Sequence, residues 1–164
     1  MSVLGQVYVH GRYGGGQDQA KGMKLLLRAS ELGSVSASST LADMYSNGIY
    51  VARDCKKTTH YLELAAKGGN AHARYYLGLE EMFLHGKIDR AIKHWLLACE
   101  GGHPDALQGI RNGYTDGTAS KADYEKALRS YQQYLDDVKS ANRDKAAAHD
   151  EGYVYLLSTD DFKV

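Results

Sequence analysis

Small and apolar residues recur along this chain at helical spacing, and the spacing itself recurs. Ala29-Ser30-Glu31-Leu32-Gly33 returns as Ala65-Ala66-Lys67-Gly68-Gly69 and as Ala98-Cys99-Glu100-Gly101-Gly102, each followed four residues later by Ala37, Ala73 or Ala106. The final glycines are offset by 69 − 33 = 36 and 102 − 69 = 33 residues. That period marks a stack of helix pairs, in which each unit buries its apolar face on the next. In the second unit Ala37, Leu41, Ala42 and Tyr45 predict a first helix that Asn47-Gly48 stops. Asp54 then caps a second helix bearing Tyr61, Leu62, Ala65 and Ala66. The first unit repeats this with Leu4, Gly5, Tyr8 and Gly11, then Asp18, then Leu25, Leu26, Ala29 and Gly33. The third runs from Ala73, Leu77 and Gly78 through a His85-Gly86 turn to Ile88, Ile92, Trp95 and Ala98. The fourth has Ala106 and Ile110, a turn holding Gly113 and Gly117, and then Tyr124, Ala127, Leu128, Tyr131 and Leu135.

The pattern predicts an all-α fold: an α-solenoid of about four antiparallel helix-pair repeats, with a C-terminal capping helix. The array is expected over 1–118, in units of about 1–33, 34–69, 70–102 and 103–118 plus the following helix. Residues 119–164 supply the last repeat helix and the cap. A long charged helix and a further helical piece are expected there, with Arg129, Asp136, Asp137, Lys139, Arg143, Asp144 and Lys145 on a wet face. Gly5, Ala42 and Gly78 share one register, as do Gly22, Thr58 and Ala91. A glycine inside a helix costs about 1 kcal/mol relative to alanine, so a repeated small residue implies close helix packing. Gly14-Gly15-Gly16 follows no strand and precedes no Lys-Ser/Thr pair, so it is a flexible turn rather than a phosphate loop.

Composition narrows the functional classes. Twenty basic and twenty acidic residues cancel, which removes the electrostatic footprint of a nucleic-acid binder. No run approaches the roughly 18 apolar residues of a membrane span, so no membrane insertion is expected. Residues 1–10 lack the basic and apolar regions of a signal peptide. Cys55 and Cys99 imply no disulfide framework, and a reducing, cytoplasmic setting is expected. Cys99 occupies a small buried position and Cys55 a helix start. Thirteen tyrosines against two phenylalanines fit helix seams whose rings are buried and whose hydroxyls stay wet.

These motifs resemble the Sel-1-like repeats, a subgroup of the tetratricopeptide-like α-solenoids. The family pattern is a Leu-Gly-x-x-Tyr-x-x-Gly helix, an Asp-bearing loop and a helix ending Ala-Ala-x-x-Gly. It is carried by Leu4-Gly5 to Gly11 and by Leu41-Ala42 to Gly48. At Leu77-Gly78 it departs, with Glu81 in the tyrosine position and the glycine delayed to Gly86. The stretch from Ala119 to Ala148 resembles the closing segment of a microalgal branch of the family. The resemblance implies a right-handed superhelix, scaffold or adaptor roles and no uniform activity; a protein or peptide partner is expected, with no cofactor and no metal. It also implies that the first helix of each unit lines a concave groove. By register this places Gln6, Ser39, Asp43, Ser46, Asn47, His72, Tyr75, Leu79, Met82, Gln108 and Asn112 in the groove, with Tyr75, Leu79 and Met82 as an apolar centre. A packing role for these three, against the long C-terminal segment, is the competing expectation.

The first unit starts part-way into its first helix, so Val3, Leu4, Val7 and Tyr8 are expected near an open edge. That edge predicts self-association or a missing N-terminal domain. Enzymatic readings find less support. Cys99 and His103 form a metal pair without a second pair, and the acids Glu80-Glu81 and Asp136-Asp137 are expected on solvated faces. Some cysteine-rich bacterial relatives are linked to β-lactam binding and hydrolysis, which leaves a hydrolase or small-molecule binder as the alternative. Those relatives carry a cysteine pair in every unit, and this chain has no such pairs.

Overall fold

The structure, a computed structural model, describes the main chain of residues 19–157 and the side chains of residues 20–142, 144 and 145. It consists of seven helices among the described residues: α1 Gln19–Glu31, α2 Val35–Asn47, α3 Cys55–Lys67, α4 Ala71–Phe83, α5 Ile88–Glu100, α6 Pro104–Thr115 and α7 Lys121–Leu157. Each helix packs on its sequence neighbour, and α7 also lies on α5, so the chain forms an α-solenoid of helix pairs. None of the described helices is long and apolar enough to cross a membrane.

The repeated Ala-x-x-x-Gly motif has a local mechanical cause. Gly33, Gly69 and Gly102 have φ of 84°, 85° and 76°, the left-handed region that favours glycine. Their N–H groups donate to the carbonyls of Ser30, Ala66 and Cys99. The next N–H, of Ser34, Asn70 or His103, donates to the carbonyl of Ala29, Ala65 or Ala98 at 2.9–3.1 Å. This is a Schellman closure made three times. The residue that completes it also opens the following helix. Ser34 and Asn70 accept from the backbone N–H of Ala37 and Ala73 at 3.3 and 2.8 Å, while Pro104 takes the first turn of α6. One turn therefore ends a helix, starts the next and fixes the angle between them. The flanking alanines Ala29, Ala37, Ala65, Ala73, Ala98 and Ala106 are all buried, where a longer side chain would force the helices apart.

Between the helices of a pair, the connections follow the expected stops. Asn47 closes α2, and Gly48 after it has φ 71°. Asp54 accepts from the N–H of Lys57 at 3.1 Å and starts α3. Tyrosines fill the seams as expected: Tyr45 stacks on Tyr61 at 5.7 Å and Tyr114 on Tyr124 at 5.4 Å. Ser120 and Asp123 cap the start of α7 reciprocally, the Ser120 hydroxyl accepting from the Asp123 N–H and the Asp123 carboxylate from the Ser120 N–H.

Two expectations are corrected. Gly113 lies inside α6 rather than in a turn, because the helix continues to Thr115 and the missing side chain lets Thr118 and Ala119 approach; a Cβ there would lie 3.1 and 3.2 Å from them. The C-terminal region is one helix of 37 residues, with no break before a further piece. Its first turns pack through Ala127, Tyr124 and Tyr131 on α5 and α6. From Asp136 onward every described side chain is exposed, including Asp137, Lys139, Asp144 and Lys145.

Candidate functional site

The floor of the site is the indole of Trp95. Its Nε1–H donates to the main-chain carbonyl of Tyr75 at 3.2 Å, across the α4–α5 seam. Gly78 leaves it room, since a Cβ there would lie 2.4 Å from Nε1. Gly109 of α6 closes on the other side, where a Cβ would lie 3.2 Å from the ring. The indole is thus held between two glycines with its one polar atom satisfied, a rigid surface rather than an adaptable one.

Around this floor α4, α5 and α6 leave a cavity of about 430 Å³. Tyr75, Leu79, Met82 and Phe83 line it from α4, and Ile88, Ile92 and Trp95 from α5. Asp105, Gln108, Asn112 and Asp116 form its far edge, with Gly109, Gly113 and Thr118 between and beneath them. Five of the register-predicted residues therefore meet at one place: Tyr75, Leu79, Met82, Gln108 and Asn112. Tyr75, Leu79 and Met82 also border the core cluster built from α5, α6 and α7. The cavity wall that they form faces α5 and α6, and no described α7 side chain lines it.

The remaining predicted residues lie elsewhere. Asp43, Ser46 and Asn47 are exposed on α2, with Ser39 half-buried, and none lines the cavity. Asn47 donates to the Asp43 carbonyl at 3.0 Å. His72 stands beside the cavity without lining it. Its Nδ1 lies 3.4 Å from Nε2 of His103, whose ring stacks on Tyr75 at 4.5 Å. Tyr75 in turn lies 6.5 Å from Trp95, so a chain of rings runs from the start of α4 to the floor. Burial, and then the neighbouring His72, push the His103 pKa down. Asp43 reaches solvent but stands against neighbours that partly desolvate it and raise its carboxyl, with His72 pulling the other way, so α2 is linked to this chain electrostatically. Gln6 lies outside the described residues.

Sequence reasoning missed Phe83, Ile88, Ile92, Trp95, Asp105 and Asp116. The isoleucines and Trp95 were legible as an apolar stripe at i, i+4 and i+7, a spacing that a core and a cavity wall share. The expectation that Glu80 and Glu81 sit on solvated faces is also corrected. Glu80 accepts a hydrogen bond from the Thr59 hydroxyl at 2.7 Å. Glu81, with a side chain only 12% exposed, pairs with Arg90 at 2.8 Å. Their partners come from the neighbouring helices α3 and α5. Both cysteines are free. Cys55 is exposed at the start of α3, and burial, assisted by Glu100, pushes the Cys99 thiol up to about 12. Among the described residues no three His, Cys, Asp or Glu side chains are placed to hold a metal ion.

The sequence pattern of the Sel1 repeat matches residues 1–34, 37–70, 71–103 and 112–133, which is most of the chain. The chain belongs to the Sel1 repeat family. It is similar to the crystal structure of a Sel1 repeat protein from Oxalobacter formigenes, with a TM-score of 0.66 and 23% identity over 83% of this chain and 56% of that one. It is also similar to a protective antigen present in uropathogenic Escherichia coli strains that displays an SLR fold. That match has a TM-score of 0.65 and 27% identity over 82% of this chain and 29% of that one. The chain thus spans about half the length of the first and under a third of the second. Curated proteins give no significant match. Within the Sel1 frame, the cavity falls in the third and fourth matched stretches and at the gap between them, residues 104–111, where α6 begins.

Proposed function

We propose that this Sel1 repeat protein is a non-enzymatic interaction scaffold that holds a peptide or protein segment in the groove between α4, α5 and α6. Sel1 repeats are generally protein–protein interaction scaffolds. The observation that carries the reading is the groove itself: an apolar, rigidly floored cavity of about 430 Å³, bordered by polar side chains along one helix. An apolar surface with a polar rim on rigid helices is what a bound segment needs to bury anchor side chains while its flanks stay hydrated. The cysteine-rich alternative has less support, because Cys55 and Cys99 are both free and no repeat carries the cysteine pair of that type. The edge expected at Val3, Leu4, Val7 and Tyr8 lies outside the described residues, and the proposal rests on the groove.

Leu79 and Met82 are half-buried, so charge introduced there enters the groove. Leu79→Glu with Met82→Glu should abolish retention of a partner from native extract, while circular dichroism keeps its helical signal. Should the fold fail in that variant, Gln108→Arg with Asn112→Arg blocks the same groove from exposed positions. Undiminished retention by a folded, blocked variant would falsify the reading.

A further inference from the structure

The two long walls of the groove differ in chemistry. The α4–α5 wall is aliphatic and aromatic. The α6 wall is a stripe of Asp105, Gln108 and Asn112, spaced three and four residues apart on one helix face, and Asp116, four residues further on, caps the end of the helix on the same side of the cavity. Both aspartates are exposed, and neither forms an ion pair among the described residues. Among the described residues no lysine or arginine lines the cavity. At 1.5 Å per residue the eleven positions between the carboxylates span about 16 Å, so negative charge stands at both ends of an apolar trough. Low-dielectric walls strengthen the field of such charges. Phe83, which lines the cavity and is 73% exposed, extends the apolar surface at the lip.

The hydrogen-bonding groups decide what shape of segment fits. Along the middle of the stripe one Gln108 N–H donates to Asn112 Oδ1 at 2.7 Å, so the row of polar groups on this wall is short and partly engaged within itself. An extended peptide would bring a row of N–H and C=O groups that find few partners here. A helix satisfies its own backbone and offers only side chains.

We propose that the groove receives an amphipathic helix whose apolar stripe seats on Leu79, Met82 and Trp95 and whose lysine or arginine residues, about three turns apart, meet Asp105 and Asp116. This deepens the scaffold reading and rests on it: the partner is a basic amphipathic helix, recognised by shape in the middle and by charge at the ends.

Trp95 is the only tryptophan in the chain and, although only 4% exposed, forms the cavity floor, so its emission is the probe of occupancy. The probes are two helical peptides of about 18 residues with the same leucine stripe, one carrying lysines eleven positions apart and the other glutamates there. The lysine peptide should shift Trp95 emission saturably, and the glutamate peptide should bind at least about tenfold more weakly. Asp105→Asn with Asp116→Asn should weaken the lysine peptide by about three- to tenfold and remove most of its salt dependence. Equal binding of the two peptides, or no effect of the paired Asn substitutions, overturns the basic-helix inference and leaves the groove reading standing. Absence of binding by both peptides also overturns it. The groove reading is then decided separately by partner retention in the Leu79→Glu, Met82→Glu protein.

Discussion

The α2–α3 seam and the α4–α5 seam occupy the same place in successive repeats and are built from different residues. In the first, Ala42 meets Leu62 within one core cluster, and Tyr45 stacks on Tyr61 with rings 4° from parallel. In the second, Gly78 and Trp95 take the Ala42 and Leu62 positions, while Glu81 and His94 take those of the two tyrosines. Offsets of 36 on the first helix and 33 on the second give this correspondence. They differ by three because α2 ends at Asn47 and α3 starts at Cys55, whereas α4 ends at Phe83 and α5 starts at Ile88. The smaller residue faces the larger one in each seam, so the helices keep their approach while the composition changes. The exchange has a chemical consequence. The first seam has no unpartnered buried side-chain polar atom, whereas Glu81 Oε2 and His94 Nδ1 in the second are buried without a hydrogen-bond partner. The second is also the seam that carries the groove.

The largest effect should come from undoing the volume trade. Trp95→Leu copies the first seam's residue but keeps Gly78, leaving a void against both glycines; a cost of about 2–4 kcal/mol is expected by analogy with large-to-small core substitutions. Gly78→Ala alone drives a methyl against the indole, and overpacking of this kind costs about 1–3 kcal/mol. Combined, the two rebuild an Ala–Leu seam, and the double variant should be more stable than the sum of the single effects by about 0.5–3 kcal/mol. Urea unfolding with an unchanged slope measures all three. Strict additivity would mean that the seam is not a matched pair.

That trade shows what the sequence makes legible. The Ala-x-x-x-Gly motif, the Asp54 cap and the Asn47-Gly48 stop are local devices, written within a few residues and read without knowledge of neighbours. The groove residues on α4 and α6 were legible because register alone assigns a helix face. Register does not say where neighbouring helices leave space, and so it gives one groove for all the first helices, although Ser39, Asp43, Ser46 and Asn47 do not line the cavity. The space exists where Gly78, Gly109 and Gly113 lack side chains and Trp95 is set back between the first two, a fact about three helices at once. Glu80 and Glu81 failed for the same reason. Their partners Thr59 and Arg90 stand on other helices, so a charge pattern along α4 alone makes them look solvated.

A pH-gated difference is expected next. His94 faces Arg74, Glu81 and Arg90, with Lys93 beside it, and burial first and then the arginines lower its pKa below 6.5 while Glu81 opposes them. His103 is lowered as well, by burial and His72. The unfolded chain therefore takes up protons that the folded one resists. Stability contributed by the neutral imidazoles is full above about pH 6.5 and is lost as the pH falls below it towards the lowered folded values. His94→Gln should flatten the decline between pH 7.5 and 5.5, and adding His103→Gln should remove most of what remains. Tyr45→Phe, in the first seam, should leave that slope unaltered. An identical acid profile for the wild type and the paired glutamine variant would show that neither imidazole is what acid acts on.

The smallest expected effect separates an ion pair from an aromatic stack. Glu81 is nearly covered, but Arg90 remains 57% exposed, so water and salt screen much of their attraction. A double-mutant cycle on Glu81→Gln and Arg90→Gln should give a coupling of about 0.2–1 kcal/mol, falling as ionic strength rises. The Tyr45–Tyr61 stack, probed by Tyr45→Leu and Tyr61→Leu, should give about 0.5–1.5 kcal/mol with little salt dependence, because ring packing does not rely on net charge. If the Glu81–Arg90 coupling exceeds the tyrosine coupling and persists in high salt, the polar seam is shielded from solvent. The reverse order places the holding force of the third repeat in Trp95 and its glycines, with the ion pair only screening a buried carboxylate.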